Sequence, residues 1–208
     1  MRTIFIGDIH GCFEEFQLLL KKLNYHKDDR LILLGDLINK GPHSVDVLKF
    51  VKSNKIEFIL GNHEYGFLKY VKSKKSHIDS FNKIKEELGD ELNTWVDFLS
   101  SKPFYIESKD WIAVHGGIEP NKSLEDSDPA ILSSVRLIEG KPWYDYYQGD
   151  RTVLFGHWAK LGLFFGEKTI CLDSRCCYGG TLSAFIWEEK KLVQLKALDK
   201  YFDMVEEV

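Results

Sequence analysis

Five short apolar runs in this chain break off in the same way. Thr3-Ile4-Phe5-Ile6 runs into Gly7-Asp8-Ile9-His10-Gly11, and Leu31-Ile32-Leu33-Leu34 into Gly35-Asp36. Phe58-Ile59-Leu60 meets Gly61-Asn62-His63-Glu64, Trp111-Ile112-Ala113-Val114 meets His115-Gly116-Gly117, and Val153-Leu154-Phe155 meets Gly156-His157. Runs this short and this apolar read as strands. Helical patterns lie between them. Phe13 to Leu23 lines up Phe16, Leu19, Leu20 and Leu23 on one face, and Ser44 to Val51 does the same with Val47, Leu48 and Val51. Strands alternating with amphipathic helices indicate an α/β chain, and in such sheets ligands gather beyond the carboxyl ends of the strands. Five strands therefore deliver Asp, His, Asp, Asn, His and His to one rim.

Each piece alone has an ordinary explanation: Gly-Asp after a strand is a turn, and a lone buried His is a hydrogen-bonded core residue. Turn chemistry gives no reason, however, for four of the seven histidines to follow strands beside glycine. The glycines let backbone approach where a side chain would block a metal or phosphate. His26, His43 and His77 lie in polar stretches and read as solvated. Carboxylate, imidazole and amide oxygen without thiolate suit Mn, Fe, Co or Zn in a working site. Six donors are too many for one ion that keeps an open position. They suit two ions roughly 3.5 to 4 Å apart, bridged by a carboxylate and a hydroxide, the arrangement that steadies attacking and leaving oxygens in phosphoryl hydrolysis.

The rest of the chain sets limits. At roughly 150 residues per domain, 208 residues make one unit, 1–208. Within it 65–100 is a charged helical insertion, weakened around Ser73 to Ser80, where Lys74, Lys75 and Ser76 suggest a loop. Beyond Pro129 the pattern turns β-rich: Thr152 to Phe155, Thr169 to Leu172, Thr181 to Trp187 and Leu192 to Ala197. A net charge of -4 argues against an extended nucleic-acid surface. No apolar segment approaches the roughly 18 to 20 residues of a membrane span. Without the apolar core of a signal peptide after Arg2, the expectation is a cytoplasmic chain whose Cys12, Cys171, Cys176 and Cys177 stay reduced. Adjacent Cys176 and Cys177 lack the gap of a zinc knuckle and read as buried thiols. Gly162 to Thr169 has the wrong glycine-to-lysine spacing for a phosphate-binding loop and reads as a turn into a strand.

Gly7-Asp8-Ile9-His10-Gly11, Gly35-Asp36 with Gly41, Gly61-Asn62-His63-Glu64, His115-Gly116-Gly117 and Gly156-His157 together resemble the five motifs of the phosphoprotein-phosphatase branch of calcineurin-like metallophosphoesterases, in order and across most of the chain. The resemblance implies a β-sandwich of two mixed sheets flanked by helices. It implies Asp8 and His10 on a first metal, Asp36 bridging, Asn62, His115 and His157 on a second, and His63 as the acid that protonates the leaving oxygen. All six ligands and His63 are present, which disfavours a catalytically silent scaffold.

The second motif departs from the protein-phosphatase pattern. That pattern is Gly-Asp-x-Val-Asp-Arg-Gly; here the run is Gly35-Asp36-Leu37-Ile38-Asn39-Lys40-Gly41-Pro42. Asn39 supplies no carboxylate to orient the acid His, and Lys40 keeps a positive charge without the bidentate fork. Asn39 followed by Gly-Pro, Gly156-His157-Trp158 and Cys176-Cys177-Tyr178-Gly179-Gly180 resemble the symmetrical diadenosine tetraphosphate hydrolases. Against this, the length of 208 is closer to compact bacterial serine/threonine protein phosphatases, and Ser174-Arg175 replaces that subfamily's usual Thr-Gly. Lys40 and Arg136 are the candidates to hold phosphate oxygens. The aromatic run Trp143-Tyr144-Asp145-Tyr146-Tyr147 reads first as core, as aromatic clusters near strands more often are, and second, with Trp158, as the candidate to stack a base. A small phosphorylated substrate, a dinucleoside polyphosphate ahead of a phosphoprotein, is thus expected, with manganese as the leading metal.

Overall fold

The computed structural model describes residues 1–73 and 79–204. Lys74, Lys75, Ser76 and His77 lie outside the described residues. β1 (Thr3–Ile6), β2 (Arg30–Leu33) and β3 (Glu57–Phe58) pair in parallel, joined by α1 (Phe13–Lys22) and α2 (Ser44–Ser53). The helical segment that follows comprises α3 (Asn62–Ser73), α4 (Asp79–Leu88) and α5 (Leu92–Ser100). A second sheet then begins with β4 (Tyr105–Glu107) and β5 (Trp111–Val114), which pair antiparallel. After α6 (Pro129–Ser134) comes a small hairpin of β6 (Leu137–Ile138) and β7 (Lys141–Pro142). β8 (Thr152–Phe155), β9 (Phe164–Phe165) and β10 (Thr169–Cys171) complete the second sheet in the order β4-β5-β8-β10-β9. β11 (Thr181–Ile186) and β12 (Lys191–Lys196) return to the first, whose order is β12-β11-β1-β2-β3.

Both sheets are mixed, and both are buried on two faces. Alternate residues of a strand point to opposite sides. Phe5, Ile32, Ile59 and Phe185 of the first sheet meet Trp111, Ala113, Leu154 and Ile170 of the second, forming the interior of the sandwich. Ile4, Ile6, Leu31 and Leu33 face outward onto Phe16, Leu19, Val47 and Leu48 of the flanking helices. Ile112, Val114, Val153 and Phe155 cover the other outer side together with Trp143. This two-sided burial is why the strands read as unbroken apolar runs.

The helical segment starts earlier than 65: Asn62 and His63 form the first turn of α3. Phe81, Ile84 and Leu88 of α4 are buried in the helix-side core. Ser80, Lys83 and Ile84 share a cavity of about 190 Å³ with Asn39 to Pro42 and with Tyr201 and Phe202. The insertion therefore flanks the loop behind β2.

Trp143, Tyr144 and Tyr147 of the aromatic run pack in the core, the first of its two readings, and not as a base-stacking platform. Trp143 is fully buried against Phe155, and Tyr144 stacks on Phe164. Trp158 directly follows His157, yet its indole joins the same cluster, 6.1 Å from the Tyr144 ring. All four cysteines are buried and free, and Gly162 to Thr169 forms the turn and strand expected of it.

Candidate active site

The loops behind β1, β2, β3, β5 and β8 bring their polar side chains to one rim. Asp8, His10, Asp36, His115 and His157 are all buried, and Asn62 and His63 are half-buried. Asp36 lies at the centre. Its Oδ2 is 3.5 Å from His10 Nε2 and 3.8 Å from His63 Nε2, and its Oδ1 is 3.2 Å from His115 Nε2. Asn62 Oδ1 accepts from His115 Nε2 at 3.1 Å and from His157 Nδ1 at 2.7 Å. Asp8 turns toward the fifth loop and accepts the His157 backbone N–H, leaving its Oδ2 3.9 Å from His10 Nε2.

Backbone shape aims these groups. His10, Asp36, Asn39, Lys40 and His157 all have positive φ, between 48° and 76°. Side chains larger than glycine rarely sit there, and such outliers concentrate where a site demands them. The glycines make room for the candidate ligands: a Cβ on Gly61 would collide with Asp36, and one on Gly156 with Asp8 Oδ1.

Hydrogen bonds then orient the rings. His10 Nδ1 donates to the Ile38 carbonyl at 3.1 Å and His115 Nδ1 to the Leu34 carbonyl at 2.6 Å, so both turn Nε2 inward. Glu64, which motif reading leaves without a role, is fully buried and holds the second and third loops together. Its carboxylate accepts four backbone N–H groups: Asp36 at 2.9 Å, Leu37 at 2.8 Å, Ile38 at 3.1 Å and Gly61 at 3.0 Å. Burial and the neighbouring Asp36 push it up to about 7. Its position after the acid-candidate His, in a helix's first turn, was the one sequence signal. Asp173, also buried and unread in the sequence, faces Asp8 electrostatically.

Charge is balanced within the rim. Burial opposes ionisation of Asp36, but His115, His63 and His10 outweigh it and hold the carboxyl well below the usual range. Burial opposes protonation of His115, yet Asp36 prevails and lifts it to about 10. Lys40 stays charged, with burial overcome by Asp36, and its Nζ lies 2.9 Å from His10 Nε2 and 5.1 Å from the Tyr178 ring centre. Oxygen and imidazole donors thus face one another around protons and an ammonium, which is the chemistry a divalent ion replaces. The donor set fits such ions.

Asn39 sits beside His63, and its amide can be oriented from its bonds. Oδ1 accepts the Lys40 backbone N–H at 2.9 Å, so Nδ2 is the atom that donates to His63 Nδ1 at 2.8 Å. Nδ1 is then an acceptor and the ring proton is on Nε2. Burial, with Lys40 and His115, pushes His63 down to about 4 against the pull of Asp36. Arg136 comes to the same rim from the loop after α6: it is half-buried, and its Nη2 donates to the His157 carbonyl at 3.3 Å. Arg175 takes a glycine-like φ of 69° where a smaller residue would be unstrained. Its guanidinium donates to the carbonyls of Ala159 at 2.5 Å and Lys160 at 2.8 Å, strapping the His157 loop to its own.

A family profile described as calcineurin-like phosphoesterase matches residues 1–187. A Vibrio parahaemolyticus protein named symmetrical bis(5'-nucleosyl)-tetraphosphatase is 28% identical, covering 96% of this chain and 100% of its own length. That alignment runs over 268 residues, longer than this chain, so the relative carries inserted segments. A Proteus mirabilis protein of the same name is 30% identical over 92% of this chain and 96% of its own. A solved structure provisionally described as a diadenosine tetraphosphatase superposes with a TM-score of 0.84 at 30% identity, covering 95% of this chain and 94% of that one.

Proposed function

Because the chain belongs to the calcineurin-like phosphoesterase family, we propose that it is a metal-dependent phosphohydrolase that splits dinucleoside polyphosphates, diadenosine tetraphosphate foremost, by adding water across a phosphoanhydride bond. Asp8, His10, Asp36, Asn62, His115 and His157 are the residues that would hold two divalent ions, with Asp36 shared and manganese the leading metal. Such ions supply Lewis-acid charge to the attacking and leaving oxygens. The chain's own groups do the rest. Lys40 and Arg136 hold non-bridging phosphate oxygens, Lys40 as a point charge and Arg136 through its fork. His63 offers its Nε2–H to the leaving oxygen.

The observation that carries the choice of substrate is the Asn39–His63 pair. An Asp in that place would accept an Nδ1–H and favour the imidazolium. Asn39 donates to Nδ1 and favours the neutral ring, a weaker acid. A serine or threonine alkoxide leaves only with a proton, whereas a nucleoside diphosphate leaves as a stable anion. A weak acid is therefore better matched to an anhydride than to a phosphoserine. The names of the near-full-length relatives support the same substrate class.

The test is kcat/KM for diadenosine tetraphosphate, phosphopeptides and nucleoside triphosphates under one manganese condition. Cleavage of the first to two ADP, well above the peptides, is the expected result. Efficient phosphopeptide turnover without it would replace this substrate with a phosphoprotein.

A further inference from the structure

A second group of metal-competent side chains lies outside the rim. Cys12 precedes α1, Glu15 stands in that helix's first turn, and Cys176 belongs to the loop between β10 and β11. One donor atom from each lies within 4.8 Å of the other two. A spacing of three sets Cys12 and Glu15 on one face. Their exposures are 0%, 0% and 2% for Cys12, Glu15 and Cys176. Glu15 Oε1 accepts from the Leu198 backbone N–H at 3.0 Å and from the Tyr201 hydroxyl at 2.9 Å. Oε2 is buried with no hydrogen-bond partner among the described residues. Burying a carboxylate oxygen without a partner is costly, and buried charges are otherwise paired or on a metal.

Two explanations compete. A thiol pair poised to close a disulfide accounts for both cysteines and leaves Glu15 Oε2 unexplained. A metal ion accounts for all three side chains. Two sulfurs and a carboxylate oxygen select zinc over magnesium, calcium or manganese. With zinc–sulfur bonds of about 2.3 Å and zinc–oxygen bonds of about 2.1 Å in a tetrahedral site, the donors need draw in by only about an ångström.

We propose that Cys12, Glu15 and Cys176 form a further metal site, sulfur-bearing and selective for zinc, separate from the rim. Binding forms two zinc–sulfur bonds and one zinc–oxygen bond and releases both thiol protons to solvent, with no change of oxidation state. The ion joins the start of α1, two residues beyond His10, to the loop that carries Asp173. Through Glu15 it also fastens the segment of Leu198 and Tyr201. It is a clip on the support of the site, and the inference stands whatever the substrate of the rim.

Cobalt(II) is the probe, because a cobalt–thiolate bond gives a near-ultraviolet charge-transfer band and the six rim donors include no sulfur. The full chain, purified reduced and stripped with chelator, is titrated with cobalt. A thiolate band is expected whose final intensity corresponds to one cobalt per chain, the rim taking up further cobalt without such a band, and which is lost on addition of zinc. It should vanish in Cys176→Ser, persist in Asp36→Asn, and need more than tenfold more cobalt in Glu15→Gln. No band in the unsubstituted protein overturns the proposal without recourse to any variant. So does a band that survives in Cys176→Ser. Absence of the band together with peroxide-driven loss of two thiols as a Cys12–Cys176 disulfide would replace it with the thiol-pair explanation.

Discussion

The two sheets serve the rim unequally. The first sends Asp8 and His10 from behind β1, Asp36 from behind β2, and Asn62 and His63 from behind β3; the second sends only His115 and His157. Even these two are steered from across the seam, since the Leu34 carbonyl orients the His115 ring and Asp8 accepts the His157 backbone N–H. The first sheet thus holds the carboxylate proposed to be shared and the proposed proton donor, while the second adds imidazoles to one half of the candidate donor set. Substitutions on the two sides should therefore fail differently.

The largest effect is expected at Asp36. Asp36→Asn should empty both ion positions and abolish turnover, with a folded circular dichroism spectrum retained. His157→Ala should cost one metal equivalent and leave the other. Elemental analysis of the two purified variants checks this. Equal metal content, or near-normal activity of Asp36→Asn at limiting manganese, would erase the distinction between the sheets.

His63 comes next. His63→Ala should slow phenyl phosphate by roughly 10²- to 10⁴-fold and p-nitrophenyl phosphate far less, because p-nitrophenolate leaves without a proton. An equal loss on both would remove its role as acid. Asn39→Asp should lift the His63 pKa from about 4, since a carboxylate stabilises the imidazolium. The imidazolium, a stronger acid than the neutral ring, should then persist to higher pH, with the gain concentrated on poor leaving groups. Glu64→Gln leaves backbone N–H groups facing an amide NH2 and should weaken metal affinity about 10- to 100-fold, read by chelator competition.

The smallest effect lies far from the chemistry but in the same first sheet. Arg2 binds Asp29 through Nε at 3.0 Å and Nη2 at 2.6 Å, and holds its carboxyl at about 2, below the ordinary 3.8. The unfolded chain therefore binds more protons in that window, so the pair's stabilisation is complete above pH 4 and disappears as pH falls through about 2. After allowance for solvent screening it amounts to about 1 kcal/mol. Urea melts of the wild type and Asp29→Asn should differ at pH 6 and converge near pH 2.

The five strand ends were legible because two-sided burial makes each strand a pure apolar run that stops where solvent and ligands begin. Asp8, Asp36, Asn62, His115 and His157 stand directly beyond such stops or one glycine after them. Glu64 was not legible as an organiser, because its partners are backbone groups from two loops, and backbone N–H groups leave no mark in a sequence. Arg136 approaches His157 across 21 residues, and only the folded α6 loop brings it there. The Trp143 to Tyr147 run was ambiguous in principle, since aromatic side chains suit a base and a core equally well. Burial against Gly117 and Phe155 decides it. β4 and the β6–β7 hairpin, two or three residues per strand with polar members, carry too little periodicity to register.

The position of β1 has a consequence for how the protein comes into being. This strand is made first, yet it lies inside its sheet, with β2 on one edge and β11 on the other, Ile4 opposite Ile186 and Phe5 opposite Phe185. Gly7, at the mouth of the first loop, likewise gives its N–H to the Ser183 carbonyl. On a ribosome adding about 5 to 20 residues per second, β1 and Asp8 wait roughly ten seconds or more for the chain that closes over them. Contacts so distant in sequence also make for slow folding. A nascent chain cut between residues 157 and 181 already carries the loops behind β1, β2, β3, β5 and β8, but has an open edge on its central strand. Such truncated chains should pair with each other or with chaperones through that edge before they ever turn over substrate.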